Sequence, residues 1–186
     1  MADQAAQRPD CGGCTVCCTA LPITEFAKPA GVTCQHCTAA GCGIYETRYD
    51  ICRSFLCGWL LLPGLDESWR PDRSGILIRF IEREDLPEDY RGPGSGVHFT
   101  LLGGEASVLR PGFADYVATL VRRDVGVWLS ADSPRTLVNP YLKPAAMAHD
   151  KNALTAILLH LYRLHLKQRD MQGGMKPLPW IIPESI

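Results

Sequence analysis

The sequence predicts an α+β fold in which a cysteine-rich metal-binding module packs on a small antiparallel sheet with two main helices. Three observations predict it. All nine cysteines lie between Cys11 and Cys57. Short β-rich runs bounded by turn residues follow between Ile76 and Leu129. Two segments, 111–124 and 151–168, have the look of helices: an apolar face at helical spacing in the first, a capped apolar stretch in the second.

Residues 11–58 form the cysteine-rich module. It has little hydrophobic periodicity and many turn residues, so metal would have to supply much of its order. Within it, Ile44, Tyr45, Tyr49 and Cys52 fall at helix-compatible intervals, which predicts a short helix inside 43–52. Residues 59–186 form an α+β remainder, expected to make one compact unit with the module. Its first stretch, 59–72, is an apolar connection ending in turns. Trp59 and Trp69 should cover the junction, and Trp59-Leu60-Leu61-Leu62 should be core. Ile76 to Glu82 reads as a strand and Leu86 to Gly96 as a polar loop. Val97 to Leu102 reads as a strand, Gly103-Gly104 as a turn and Ala106 to Leu109 as the returning strand of a hairpin. Pro111 suits the first turn of a helix running to Asp124, with Phe113, Tyr116, Val117, Leu120 and Val121 at helical spacing. Val125 to Leu129 reads as a further strand. Asp150 is placed to cap the last helix, Lys151 to Gln168, and Gly173-Gly174 marks its end. The tail, with Pro177, Pro179 and Pro183, should run extended over the surface.

Composition narrows the function classes. The chain has 186 residues, enough for one domain with a real core. At 46% hydrophobic and 21% charged residues it is not a disordered chain. Nineteen basic and 20 acidic residues leave a net charge of −1, which weighs against nucleic-acid binding. The most apolar helical stretch, Ala153 to Leu166, is interrupted by Thr155, His160, Arg163 and His165 and is too short and polar to span a bilayer. Residues 1–10 are polar, with no apolar core of a signal peptide. The expected setting is cytoplasmic, where thiols stay reduced.

That setting turns the cysteines from disulfides toward metal. Cys17 and Cys18 point the same way: adjacent Cα atoms sit about 3.8 Å apart, below the usual disulfide range of about 4.4–6.8 Å. Adjacent residues of an extended backbone point to opposite sides. The pair is therefore expected to give one ligand to a single site, or one ligand to each of two metal centres. The ligand pool is Cys11, Cys14, Cys17, Cys18, Cys34, Cys37, Cys42, Cys52 and Cys57, of which Cys42 and Cys57 are the first candidates to be spare. His36 joins the pool or sits in an exposed turn. Arg48 and Arg53 are placed to offset thiolate charge.

The run Cys11-x-x-Cys14-x-x-Cys17-Cys18 resembles the signature of the bacterial CxxCxxCC family, zinc- or iron-chelating proteins related to the YkgJ proteins. The second half of the signature follows: Cys34-Gln-His-Cys37, then Gly41-Cys42-Gly43-Ile44-Tyr45-Glu46, Arg48, and Cys52-Arg53-Ser54-Phe55-Leu56-Cys57. The chain departs from the family form at Tyr49, where Pro is usual. The resemblance covers 11–58 and implies a metal-chelating protein with zinc or iron as its cofactor.

Zinc in structural sites takes four thiolate or imidazole ligands, and an iron–sulfur cluster takes four thiolates. The opening run starts like the bacterial ferredoxin spacing, but position 21 is Leu and the fourth cysteine stands at 18. Three readings follow: a metal-handling protein, an iron–sulfur redox or accessory enzyme, and a structural zinc module serving a protein partner. No phosphate loop, nucleophile elbow or H-E-x-x-H helix is present. Arg70, Arg73, Arg79 and Arg83, interleaved with acids from Asp66 to Asp89, read as a solvated, salt-bridged face. The turn Trp69 to Gly75 is able to brace a metal shell or hold an anion. His98 reads as structural, and His149, His160 and His165 as surface or core-edge residues.

Overall fold

The computed structural model describes residues 11–91, 96–131 and 135–171. Gly173-Gly174 and the proline tail lie outside these residues. The module comes first: α1 (Val16–Ala20), a two-stranded antiparallel hairpin β1 (Cys37–Thr38) and β2 (Gly41–Cys42), and α2 (Asp50–Ser54). Two short helices, α3 (Gly58–Leu61) and α4 (Pro71–Ser74), lead into β3 (Ile76–Ile81) and β4 (Gly96–Leu101). Helices α5 (Glu105–Leu109) and α6 (Phe113–Arg122) precede β5 (Val127–Ser130) and β6 (Thr136–Leu137). Helices α7 (Asn139–Met147) and α8 (Lys151–Met171) complete the described fold.

The main sheet has the order β3-β4-β5-β6 and is mixed, not antiparallel. β3 pairs antiparallel with β4, β4 parallel with β5, and β5 antiparallel with β6. The expected hairpin return at 106–109 is α5 instead. A parallel neighbour needs a crossover, and α5 and α6 supply it, leaving the second edge of β4 to β5. Gly104, at φ 71°, turns the chain into α5. The buried Ser107 hydroxyl then donates toward Ser74 O (3.2 Å) and Gly75 O (3.0 Å). Gly75 is required there: its φ is 66°, and a Cβ would stand 2.7 Å from the Gly103 Cα.

The main core cluster joins Phe99, Leu101 and Leu129 of the sheet to Phe113, Val117 and Val121 of α6, Leu142 of α7, and Leu154 and Leu158 of α8; Ile81, Leu86 and Trp128 form a second, smaller one. Phe99 and Phe113 meet edge to face at 5.4 Å. α6 therefore uses the face its sequence spacing indicated, except Tyr116, which is only partly buried. α7 has no counterpart in the sequence reading. Its buried Asn139 clamps the start of β5, accepting from Val127 N (2.7 Å) and donating to Val125 O (2.8 Å). Asp150 caps α8 as expected, accepting from Ala153 N at 2.9 Å. No helix among the described residues is long and apolar enough to cross a membrane.

The module shares this core. Val16, Cys57 and Trp59 are buried in the main cluster, with Cys14, Leu21 and Phe55 packed against it. Trp59 and Trp69 are both buried, while Leu61 of the same apolar run is exposed. α3 lies against β3, an edge strand, so tightly that a Cβ on Gly58 would sit 2.4 Å from Ile78 Cγ2. Gly58→Ala is expected to destabilise the protein by about 1–3 kcal/mol, read as a lower denaturation midpoint. Gly13→Ala, with open space around its Cβ, should shift stability by no more than about 0.5 kcal/mol.

Candidate metal centre

Short-range hydrogen bonds gather the cysteines. Cys14 N donates to Cys11 O (2.9 Å), closing a turn ahead of α1. α1 carries Cys17 and Cys18. The chain then loops out and returns where Cys34 N donates to Cys18 O (3.0 Å). The hairpin register places Cys37 directly opposite Cys42. Cys52 arrives on α2, and Cys57 precedes α3 against β3.

None of the nine cysteines is in a disulfide. Cys11, Cys14, Cys17, Cys18, Cys34, Cys42 and Cys52 line one cavity of about 250 Å³, and His36 joins its wall. Cys37 hydrogen-bonds Cys18. Cys57, one of the two residues expected to be spare, is 7% exposed within the hydrophobic core and takes hydrogen bonds from Trp59 and Ile78 N–H. Cys42, the other, is on the cavity wall. The premise of an extended Cys17-Cys18 backbone does not hold: both are helical and their side chains hydrogen-bond each other. Consecutive helical residues diverge by about 100°, not 180°, so both reach the same cavity.

The electrostatic neighbourhoods divide the thiols. Cys18 interacts with Cys17 and Cys37, and Cys52 with Cys18, Cys34 and Cys42. Cys14 and Cys57 each interact with Cys11 instead. The hydrogen bond that the Cys18 thiol donates to Cys17, together with burial, drives Cys18 far above its ordinary range. Burial pushes Cys14 up to about 11, with the charge of Asp72 adding to the shift. The Val16 and Asp72 N–H groups donate to Cys14 and oppose it. Burial also raises Cys37, Cys52 and Cys57. Crowded anions disfavour one another, and a cation among them reverses the effect.

The turn 69–75 braces this end of the site. Arg70 grips Asp72 through two parallel bonds of 2.7 and 2.9 Å, and Asp72 N–H meets Cys14. Arg53 pairs with Asp50 at the surface and is not on the cavity wall. Arg48 is on that wall. Arg79 departs from the expected salt-bridged face. It lines the cavity, and its guanidinium bonds His98 and Thr100, with no carboxylate partner among the described residues. Arg70 and Arg73 do form ion pairs, both to Glu67.

Sequence reasoning missed Lys28. It is 6% exposed and donates from Nζ to Leu21 O (2.6 Å), Pro29 O (3.0 Å) and Thr19 O (3.4 Å). Burial pulls its pKa below the ordinary lysine range, while Cys34, Cys18, Cys17 and Cys52 push it back up. A lone Lys between Ala27 and Pro29 carries no motif that would have marked it.

Among the described residues, no three His, Cys, Asp or Glu side chains are already arranged to hold a metal ion. The donor chemistry nevertheless suits one: soft thiolates with an imidazole nearby select zinc or iron–sulfur clusters. Comparison with known protein families, curated proteins and solved structures finds no match.

Proposed function

We propose that this protein is a metal-binding protein of the CxxCxxCC family, chelating zinc or iron through its clustered cysteines. What carries the reading is the crowding of Cys17, Cys18, Cys34, Cys42 and Cys52 around one cavity that no carboxylate lines among the described residues. Cys37 joins this group through Cys18, and Cys11, Cys14 and Cys57 form a second, smaller group beside Asp72. Bound metal would neutralise the thiolates and order the module. Because metal takes cysteine as the thiolate, protons compete with it, and binding would weaken as pH falls.

An iron–sulfur cluster is the second reading, favoured by a cavity of about 250 Å³, roomier than a single ion needs. Anaerobic purification followed by elemental analysis and a visible spectrum tests both. Stoichiometric iron with acid-labile sulfide and charge-transfer absorption would identify a cluster. Colourless protein holding stoichiometric zinc would identify thiolate zinc sites. Protein isolated from iron- and zinc-replete cells with neither metal, and with all nine thiols titratable, would overturn the proposal.

A further inference from the structure

Two guanidiniums stand on the wall of the thiol cavity, and neither has a carboxylate partner among the described residues. Arg48 lies over the Tyr45 ring at 3.6 Å and donates from Nε to Tyr45 O at 2.7 Å. Arg79 projects from β3, directly across from His98 on β4. Its Nη2 donates to His98 Nδ1 (3.1 Å) and reaches Thr100 Oγ1 at 3.4 Å. An arginine only donates, so His98 Nδ1 must accept, and the proton sits on Nε2 facing Ser130 Oγ at 2.8 Å. His98 and Ser130 thus hold Arg79 from behind. Arg79 Nε remains buried with no hydrogen-bond partner.

A buried guanidinium nitrogen left without an acceptor is costly, and Arg79 lines a cavity that has no Asp or Glu on its wall among the described residues. Beside the thiols, His36 and the two tyrosines, the wall carries an apolar stretch with Leu21, Ile23, Ile51 and Phe55. Its volume, about 250 Å³, exceeds what one metal ion takes. Two arginines on the wall of a recess with an apolar stretch match a molecule with one anionic end and a hydrophobic body. Inorganic phosphate would satisfy the guanidiniums but leave the apolar wall without a partner.

We infer that the cavity assigned above to metal also binds a small organic carboxylate with an apolar body, its carboxylate on Arg79 and Arg48. This rests on the metal reading only for the location of the site. Arg79 supplies planar donors suited to a carboxylate, and Arg48, stacked on Tyr45, supplies a second cation. A ligand held so would lie beside the thiols, within reach of any metal they carry.

The test uses the purified full-length protein, with its metal content measured, and benzoate as the probe. Calorimetric titration should show saturable benzoate binding, with benzyl alcohol and inorganic phosphate binding far more weakly. Arg79→Gln should lower benzoate affinity about 10- to 100-fold while metal content stays the same. Arg79→Lys, which keeps the charge but not the fork, should fall between the two. Arg48→Gln gives a second measurement free of any effect on the sheet, and it too should weaken binding. Absence of benzoate binding, or wild-type benzoate affinity in both Gln variants, would overturn the inference, as would phosphate binding as tightly as benzoate. Loss of metal from Arg79→Gln without loss of benzoate affinity would also overturn it, since the guanidinium would then serve the thiolates alone. Metal-free protein that binds benzoate through Arg79 would support the ligand site while overturning the metal proposal.

Discussion

Lys28→Met is expected to cost the protein about 2–3 kcal/mol of stability, a large share of what a domain has. Met fills a similar volume, so the loss isolates the ammonium. That group donates to Leu21 O, Pro29 O and Thr19 O. Each bond to a charged group is worth about 1.5–3 kcal/mol, reduced here because the three carbonyls are only part-buried and water can reach them in the variant. The three carbonyls lie on both sides of the loop between Cys18 and Cys34. Only a few backbone contacts, such as the paired bonds between Ile23 and Lys28 at 2.9 Å, remain to close it. The same charge lowers the pKa of Cys18, so its removal should raise that pKa further. Urea denaturation reads the first effect. The rate of thiol alkylation at fixed pH, resolved by peptide mass mapping, reads the second, with Cys18 slower in the variant. Unchanged stability together with an unchanged alkylation rate would show that Lys28 fastens neither the loop nor the thiols.

Much of the fold was legible where the pattern is local. The face of α6 follows from the spacing of Phe113, Val117, Leu120 and Val121, and Asp150 announces α8 by its capping chemistry. β3, β4 and β5 were visible as apolar runs, but their pairing was not. A Gly-Gly step after β4 reads equally well as a hairpin turn or as the entry to a crossover. What decides is the packing of Ser107 and Gly103 on Gly75, more than 25 residues away in sequence. α7 was hidden because Pro140 and Pro144 break the pattern of a helix, and because Asn139, which anchors it, acts through the β5 backbone. In the site, the cysteines announced themselves by clustering, yet their groupings did not follow from spacing. Cys57 is sequestered by the edge of β3, and Cys17 and Cys18 share a cavity because their backbone is helical. The cations were least legible. Lys28 and Arg79 matter through burial, and burial belongs to the assembled fold. Arg79 in particular sits among arginines that do form ion pairs.

His98 should make the protein acid-sensitive well above the pH at which carboxylates titrate. It is 3% exposed, and burial, followed by the charges of Arg79 and Arg135 and by His165 on α8, pulls its pKa down to about 3 from 6.5. Between these values the unfolded chain binds a proton that the folded protein does not. The contribution is therefore fully present above pH 6.5 and is lost as pH falls toward 3. The slope approaches about 1.4 kcal/mol per pH unit and the total about 4–5 kcal/mol. From pH 7 to pH 5 the expected loss is about 2 kcal/mol, measured by urea unfolding across that range. The carboxylates of Asp66 and Glu105 have their pKa values lowered by hydrogen bonds, to Ser68 and Arg163 respectively, so their contributions fall away at lower pH than this window. His98→Gln removes the titrating ring while keeping an acceptor for Arg79, and its stability should be flatter between pH 7 and 5. An equal slope in the variant would assign the acid sensitivity to other groups. Protonation also has a structural meaning: a charged ring no longer accepts from Arg79 at Nδ1. The guanidinium would lose its anchor behind the thiol cavity before the sheet itself gave way.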